Sequence, residues 1–230
     1  MLRRGSLIIH SLRTLPTLRF SRQTVGVDRV IALDLRRELQ GFFSPRVPVD
    51  NVGAASIGAA YFANKDLVDP VVISPHAGGV YRAKQFRELL NHALPEHNAA
   101  LGMIIKQRER AGQIERMDLV GSVDGSDVIV LDDMIDTSGT IAAAASRLKA
   151  NGARRVFAFA SHGLLSGDAA SRITHSELDE VVITNTIPRS TAATNAPKIV
   201  QLSVAPLLAE AIVRVHRKQS VSALDEEGFK

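Results

Sequence analysis

Residues 128–140 read VIVLDDMIDTSGT, and this stretch decides the fold that the sequence predicts. Its four leading apolar residues indicate a buried β-strand, two aspartates follow, and Asp136 begins a polar turn that contains a single glycine. A helical pattern comes directly after the turn. Backbone N–H groups at the start of a helix, together with hydroxyls and a glycine, suit a bound phosphate group. We therefore expect a strand, an anion-binding turn and a helix in this order.

The same alternation continues on both sides of this stretch. Strands are predicted over residues 28–35, 70–75, 101–105, 127–133, 154–160, 180–184 and 198–203. Helices are predicted over residues 54–65, 82–93, 140–152 and 204–217. Most strand segments are continuous apolar runs, which is the pattern expected when helices cover both faces of a parallel sheet. The sequence therefore predicts an α/β fold with a doubly wound parallel sheet.

Composition excludes several classes of function. The 230 residues contain no cysteine, so disulfides, thiolate metal sites and a cysteine nucleophile are excluded. No apolar run approaches the roughly 18 residues that a membrane span requires, and we expect no membrane partner. Without residues 1–22 the chain has 23 basic residues against 24 acidic ones. A nearly neutral body argues against a nucleic-acid-binding face.

The first 26 residues differ in composition from the rest. Five arginines precede the first acidic residue, Asp28. An acid-free start that contains arginine and serine is typical of an organellar transit peptide. The alternative is a poorly ordered leader that remains from an alternative start of the chain. We expect residues 1–26 to form such a leader in a cytoplasmic protein, with a mitochondrial or other organellar location as the alternative.

Asp132 and Asp133 need a partner other than the phosphate. Carboxylates at this distance along the chain from an anion site can accept hydrogen bonds from sugar hydroxyls, or they can help to hold Mg²⁺. The plainer alternative is that they are ordinary turn and helix-capping residues. That alternative explains one aspartate and one threonine of the cluster, but not all of its members.

The stretch VIVLDDMIDTSGT resembles the phosphoribosyl-pyrophosphate (PRPP) loop of the type I phosphoribosyltransferase-like fold. Its surroundings resemble the ribose-phosphate pyrophosphokinase family, whose members are also called PRPP synthetases. VISPHAGGVYRA is similar to the pyrophosphate-side loop of that family, and KQRERAGQIERMDLVG is similar to its mobile catalytic loop. LDEVVITNTIP and LSVAPLLAEAI resemble its C-terminal signatures. The resemblance covers residues 27 to about 217 and implies a remnant of an N-terminal phosphoribosyltransferase-like domain over 27–68 and a C-terminal one over 69–230.

The resemblance implies a reaction and a set of site residues. The implied reaction transfers pyrophosphate from MgATP to ribose 5-phosphate, which gives PRPP and AMP for nucleotide biosynthesis. Mg²⁺ is the implied cofactor, and the implied assembly is a homo-oligomer or a hetero-oligomer with a PRPP synthetase subunit. The implied ribose 5-phosphate-binding residues are Asp132, Asp133, Asp136, Thr137, Ser138, Gly139 and Thr140. The pyrophosphate-side loop contributes His76, Gly78, Gly79 and Arg82, and the implied catalytic residues are Lys106 and Arg108.

Two positions depart from the family pattern. His76 stands where the family usually has an aspartate, and Arg36 stands where it usually has a metal-binding histidine. Arginine cannot ligate Mg²⁺ and imidazole suits it poorly, so His76 is a weak candidate for a metal ligand. Nothing in residues 1–26 resembles the family's ATP-gripping half. We therefore expect little PRPP synthetase activity from this chain alone.

Three functions agree with this pattern. The first is an enzyme of the PRPP synthetase family, and the second is a catalytically weak regulatory subunit associated with a PRPP synthetase. The third is a phosphoribosyltransferase that consumes PRPP. VITNTIP and SVAPLLAEAI resemble C-terminal signatures of the synthetases, which argues against the third function.

Overall fold

The computed structural model describes residues 27–35, 47–107 and 116–226. They belong to two units, one formed by Ala55–Ser203 and the other by the described parts of Met1–Ala54 and Val204–Lys230. The predicted leader, Arg36 and Arg108 lie outside the described residues. The predicted boundary between residues 68 and 69 stays a prediction.

The described elements follow one another mostly in alternation. The strands are β1 (Val30–Leu33), β2 (Val49–Val52), β3 (Val71–Ser74), β4 (Ala100–Gln107), β5 (Arg116–Val120), β6 (Asp127–Ile135), β7 (Arg155–Gly163), β8 (Glu180–Thr184) and β9 (Ile199–Leu202). The α-helices are α1 (Ala55–Ala63), α2 (Val80–Ala93), α3 (Gly139–Ala150), α4 (Ala169–His175), α5 (Thr191–Asn195), α6 (Ala205–His216) and α7 (Ala223–Glu226). No helix among these described residues is both long and apolar enough to cross a membrane.

The larger unit contains a seven-stranded sheet in the order β5-β4-β3-β6-β7-β8-β9. Every neighbouring pair is parallel except β4 and β5, which are antiparallel. From β3 the chain first adds strands on one side, and it then returns to place β6 on the other side of β3. The strand order therefore reverses between β3 and β6. In the smaller unit, β1 and β2 form a separate parallel pair.

The two faces of the sheet pack against different helices, as β7 shows. Phe157 and Phe159 of β7 contact Phe62 of α1 and Phe86 of α2, with ring centroids 5.7 Å and 5.6 Å apart. The intervening Ala158 belongs instead to the core that includes the buried side chains of α3 and α4. Successive side chains of a strand point to opposite faces, so helices cover both faces of this sheet. The predicted doubly wound α/β fold is confirmed.

Several elements differ from the sequence prediction. The prediction did not include β2, β5, α4, α5 or α7, which are short or polar and so carry little hydrophobic periodicity. Strand β6 continues to Ile135, two residues beyond its predicted end, because β7 continues beside it and Ile135 pairs with Gly163. The segment that was predicted as a mobile loop over 106–121 is partly a β-hairpin, in which β5 pairs with β4 from Gln107↔Arg116 to Met103↔Val120.

A buried ion cluster joins the amino ends of three strands. The Asp127 carboxylate at the start of β6 accepts hydrogen bonds from the side chains of Arg154 and Arg155 and from the backbone N–H of Val68. Burial by itself would raise the pKa of the Asp127 carboxyl, but these hydrogen bonds outweigh burial and lower that pKa to about 2. The cluster therefore stabilises the edge of the sheet opposite the carboxyl ends.

Candidate functional site

The reversal of strand order between β3 and β6 marks the candidate site. In open α/β sheets, ligands bind outside the carboxyl ends of the strands at such a reversal. Residues 75–82, here named the β3 segment, follow the carboxyl end of β3. Residues 132–140, here named the β6 segment, include the last residues of β6 and the turn into α3. Both contain residues that the sequence predicts to bind ligand, and the topology brings the two segments together.

Two side-chain contacts link these segments. The His76 Nε2 atom lies 3.6 Å from the Asp132 Oδ1 atom. The Arg82 Nη2 atom lies 3.8 Å from the Asp133 Oδ2 atom. Asp132 also accepts a 2.8 Å hydrogen bond from the backbone N–H of Asp133. The aspartate pair therefore faces basic side chains of the β3 segment.

The β3 segment is held in a tight turn. The buried Ser74 hydroxyl donates a 2.6 Å hydrogen bond to the His76 carbonyl, and residues Ala77–Gly79 form one turn of 3₁₀ helix. A Cβ atom on Gly79 would lie 2.6 Å from the Ser74 Oγ atom, which is too close for any side chain. Gly78 is less restricted, because its Cβ would approach only the His76 ring, at 3.3 Å. Packing against Ser74 therefore requires a glycine at position 79.

The β6 segment enters α3 through a left-handed residue. Ser138, at the N-cap of α3, has φ 60° and is buried. Its hydroxyl lies 3.1 Å from the Ala169 carbonyl oxygen and makes no capping hydrogen bond to the described first turn of α3. The Thr137 and Thr140 side chains are exposed. The Ser138 hydroxyl is therefore turned towards α4, while the threonines lie at the surface.

Gly139 has a different reason to be a glycine than Gly79. A Cβ atom on Gly139 would lie 3.9 Å from its nearest neighbours, the Thr137 Oγ1 and Arg172 Nη1 atoms, which is ordinary van der Waals contact. The described residues therefore leave room for a Cβ atom at position 139. The missing side chain leaves the backbone at the start of α3 open to an anion.

The carboxylates of this edge can serve a cation only in a limited way. In the described residues, no group of three or more His, Asp and Glu side chains is arranged to hold a metal ion. Mg²⁺ often binds through one or two carboxylates together with substrate phosphates, and Asp132 and Asp133 supply such a pair. Imidazole suits transition metals better than Mg²⁺. The donor set therefore fits Mg²⁺ that is also held by phosphate groups of a ligand, and His76 suits Mg²⁺ poorly.

One of the two predicted catalytic residues belongs to a described strand. Lys106 belongs to β4, where its backbone pairs with Met117 of β5. Arg108 lies outside the described residues. Their catalytic role stays a prediction.

Sequence reasoning missed the residues that support the β6 segment. Asp136 accepts a hydrogen bond from the Ser166 hydroxyl, and the Thr137 carbonyl accepts one from Arg172. These partners are 30 and 35 residues away along the chain. No local pattern in the sequence indicates contacts at such separations, because they arise only when the end of β7 and α4 pack beside α3.

Comparisons with known proteins indicate the family of this chain. Residues 71–225 match the family model described as "Phosphoribosyl synthetase-associated domain". Ribose-phosphate pyrophosphokinase of Shewanella oneidensis is 45% identical over 202 residues, which are 87% of this chain and 62% of that protein. The Helicobacter hepaticus enzyme of the same name is 46% identical over 200 residues, 86% of this chain and 61% of that protein. The chain thus spans less than two thirds of the length of these relatives.

A solved structure is also similar. The crystal structure of phosphoribosylpyrophosphate synthetase from Mycobacterium smegmatis superposes with a TM-score of 0.74 at 34% identity, over 90% of this chain and 65% of that one. The similarity covers both segments of the candidate site, which lie within the matched residues 71–225. The chain therefore belongs to the ribose-phosphate pyrophosphokinase family, which the sequence motifs predict.

Proposed function

We propose that this protein takes part in PRPP synthesis, the transfer of pyrophosphate from MgATP to ribose 5-phosphate with release of AMP. The observation that carries the proposal is the meeting of the β3 and β6 segments where the strand order reverses. There an open helix N-terminus lies next to an aspartate pair that faces His76 and Arg82. The names of the relatives support the same chemistry.

The roles of the residues follow from their positions. The backbone at the start of α3 binds the 5-phosphate, with the exposed hydroxyls of Thr137 and Thr140 beside it. Asp132 and Asp133 accept hydrogen bonds from the ribose hydroxyls and so orient the sugar. These groups place the 1-hydroxyl for attack, since pyrophosphoryl transfer depends mainly on positioning and charge neutralisation.

The second substrate approaches from the β3 segment. Arg82, together with Lys106 of β4 and Arg108, supplies positive charge for the polyphosphate of ATP. Mg²⁺ carried by ATP would neutralise further negative charge on the group that is transferred. We also propose assembly into a homo-oligomer, or a hetero-oligomer with a PRPP synthetase subunit, in the cytoplasm. An organellar location is the alternative if residues 1–22 act as a transit peptide.

The direct test is an assay of the purified protein with Mg²⁺, ATP and ribose 5-phosphate. Whatever AMP and PRPP the protein forms should be equal in amount, and both should depend on ribose 5-phosphate. Calorimetric titration with ribose 5-phosphate alone should show binding whether or not turnover occurs. A folded protein that neither binds ribose 5-phosphate nor forms PRPP would contradict the proposal.

A regulatory role is the second candidate, and the contact of His76 with Asp132 favours it. The imidazole occupies the place beside Asp132 where the resemblance leads us to expect a carboxylate. A carboxylate there would add an oxygen ligand for Mg²⁺, which imidazole does not supply. Binding of ribose 5-phosphate without PRPP formation, together with a change in the activity of an added PRPP synthetase, would support this candidate. If the protein then formed PRPP in the variant His76→Asp, His76 would be the cause of the weak activity.

A further inference from the structure

Helix α4 and the residues before it hold the β6 segment in its observed conformation. Three side chains make the contacts. The Ser166 hydroxyl donates to the Asp136 carboxylate, Arg172 Nη1 donates to the Thr137 carbonyl, and the Ser138 hydroxyl lies 3.1 Å from the Ala169 carbonyl. The backbone N–H of Ser166 also donates a 3.1 Å hydrogen bond to the Asp136 carbonyl. Asp136 and Thr137 of the β6 segment are therefore held by one neighbouring segment, and the Ser138 hydroxyl lies between the Thr137 and Ala169 carbonyls.

The contact with Arg172 orients a peptide unit at the start of α3. A trans peptide is planar, and its C=O and N–H groups point in opposite directions. Because the Thr137 carbonyl points at Arg172, the N–H of Ser138 points away from α4. The left-handed conformation of Ser138 then turns the chain into the helix. Successive N–H groups in such a turn form a concave surface that attracts anions.

The same contacts explain how an aspartate is tolerated beside an anion site. The Asp136 carboxylate is bound by the Ser166 hydroxyl, on the side where the chain leaves β7. The Arg172 guanidinium lies 3.9 Å from the position that a Cβ of Gly139 would occupy, so its positive charge stands at the edge of the open helix N-terminus. The negative side chain is thus held by the residues that lead into α4, and a positive one is placed beside the anion.

We propose that Arg172 is a positioning residue for the phosphate site, acting through the Thr137 carbonyl, so that phosphate affinity depends on α4. This inference rests on the proposed function only for the identity of the ligand, ribose 5-phosphate. The geometry applies equally to inorganic phosphate.

Calorimetric titration of four proteins tests the proposal, with ribose 5-phosphate and inorganic phosphate as separate probes. Arg172→Ala should weaken binding about tenfold, which corresponds to about 1.4 kcal/mol. Arg172→Lys keeps the charge and a donor, and it should recover part of the loss. Arg147→Ala is the matched control, because it removes an exposed arginine from the last turn of α3. It should bind like the unaltered protein. Thermal unfolding should confirm that each variant is folded.

The affinities of these variants distinguish a positioning role from a general effect of charge. Equal affinities in Arg172→Ala and the unaltered protein would overturn the role. Equal losses in the Arg172→Ala and Arg147→Ala variants would also overturn it, since any surface arginine would then have the same effect. A folded Arg172→Lys variant as weak as Arg172→Ala would count against the hydrogen bond to Thr137. If Arg172→Ala does not fold, Arg172→Lys and Ser166→Ala carry the test, and unchanged affinity in both would overturn the role.

The two probes separate this inference from the proposed function. If inorganic phosphate binds in a manner that depends on Arg172 but ribose 5-phosphate does not bind, the proposed function is wrong and the positioning role stands. If the unaltered protein binds neither ligand, both are wrong. If both ligands bind and both depend on Arg172, both proposals are supported.

Discussion

Gly79 and Gly139 belong to the two halves of the candidate site, and they are glycines for different physical reasons. A Cβ on Gly79 would lie 2.6 Å from the Ser74 hydroxyl, so the protein's own packing excludes a side chain. A Cβ on Gly139 would lie 3.9 Å from its nearest neighbours, which is ordinary van der Waals contact. Sequence alone cannot separate these cases, because both glycines lie in short turns between a strand and a helix. The difference makes Gly139 the better position at which to test ligand binding without loss of the fold.

We expect Gly139→Val to remove measurable binding of ribose 5-phosphate, because the added side chain occupies the open backbone at the start of α3. The free energy of unfolding should change by less than about 1 kcal/mol, since glycine is itself a poor helix former. Calorimetric titration and urea unfolding measure the two effects. Ala143→Val is the matched control, because Ala143 is an exposed residue one turn further along α3. Unchanged affinity in a folded Gly139→Val variant would refute the site.

At the scale of elements, the β4–β5 hairpin matters most for the catalytic prediction. Five backbone pairs join the strands, and the last of them is Gln107↔Arg116. Lys106 therefore belongs to a strand that pairing holds in place, whereas a mobile loop would leave its backbone free. A residue on a paired strand can present a charge in a more constant position than a residue on a long loop.

We expect Lys106→Ala to lower kcat in a preparation that forms PRPP. The variant should lose about 2.7 to 4 kcal/mol of transition-state stabilisation, which is the contribution of one preorganised donor. The Kd for ribose 5-phosphate should not change, because the lysine is expected to meet the polyphosphate of ATP. Steady-state kinetics and calorimetry measure these quantities. Lys84→Ala provides the control, since Lys84 is exposed on α2 and pairs only at the surface with Glu88. Full turnover in Lys106→Ala would show that the catalytic assignment is wrong.

At the scale of the whole larger unit, the stabilising Asp127 cluster and the candidate site lie at opposite edges of the sheet. Asp127, Arg154 and Arg155 lie at the amino ends of β6 and β7, whereas the β3 and β6 segments lie at the carboxyl ends. The carboxylate of Asp127 is fully buried, with both arginines bound to it. Removing one partner from such a cluster leaves the others unpaired, which is costly. Substitutions in the cluster therefore change residues that lie at the edge of the sheet opposite the candidate site.

The Asp127 cluster predicts a specific loss of stability in acid. The pKa of Asp127 falls from 3.8 in the unfolded chain to about 2 in the folded protein. A lowered pKa stabilises the fold fully above about pH 4, and this contribution is lost as the pH falls towards 2. It amounts to about 2 kcal/mol, because one pKa unit corresponds to about 1.4 kcal/mol. Asp127→Asn should therefore lower the free energy of unfolding by about this amount at pH 7.

Urea unfolding at pH 7 and at pH 2.5 measures this contribution. The difference in stability between Asp127→Asn and the unaltered protein should shrink at the lower pH, where Asp127 is largely protonated in the unfolded chain. Asp69→Asn is the control, since Asp69 is exposed and its positive φ of 41° suits asparagine. If the deficit of Asp127→Asn were equally large at both pH values, ionic pairing would not be its cause.

The sequence by itself determined the α/β class, the main strands and helices and the family. Long apolar runs and helical periodicity are local signals, and a strand such as β6 is apolar enough to be recognised without its neighbours. The motif over residues 128–140 also predicts an anion-binding turn, because a helix N-terminus with a glycine and hydroxyls is a local arrangement. Short elements such as β5 and α4 escaped prediction, since their stability comes from packing and not from their own periodicity.

Only the tertiary structure decided which residues share the site. It placed β6 beside β3, which brought His76 to Asp132 and Arg82 to Asp133 across more than 50 residues of chain. It also turned the hydroxyl of Ser138 inwards, left Gly139 open, and set Arg172 and Ser166 against the β6 segment. These contacts depend on strand order and on the packing of α4 beside α3. Both are properties of the folded sheet, because strand pairing joins residues that no local pattern in the chain relates.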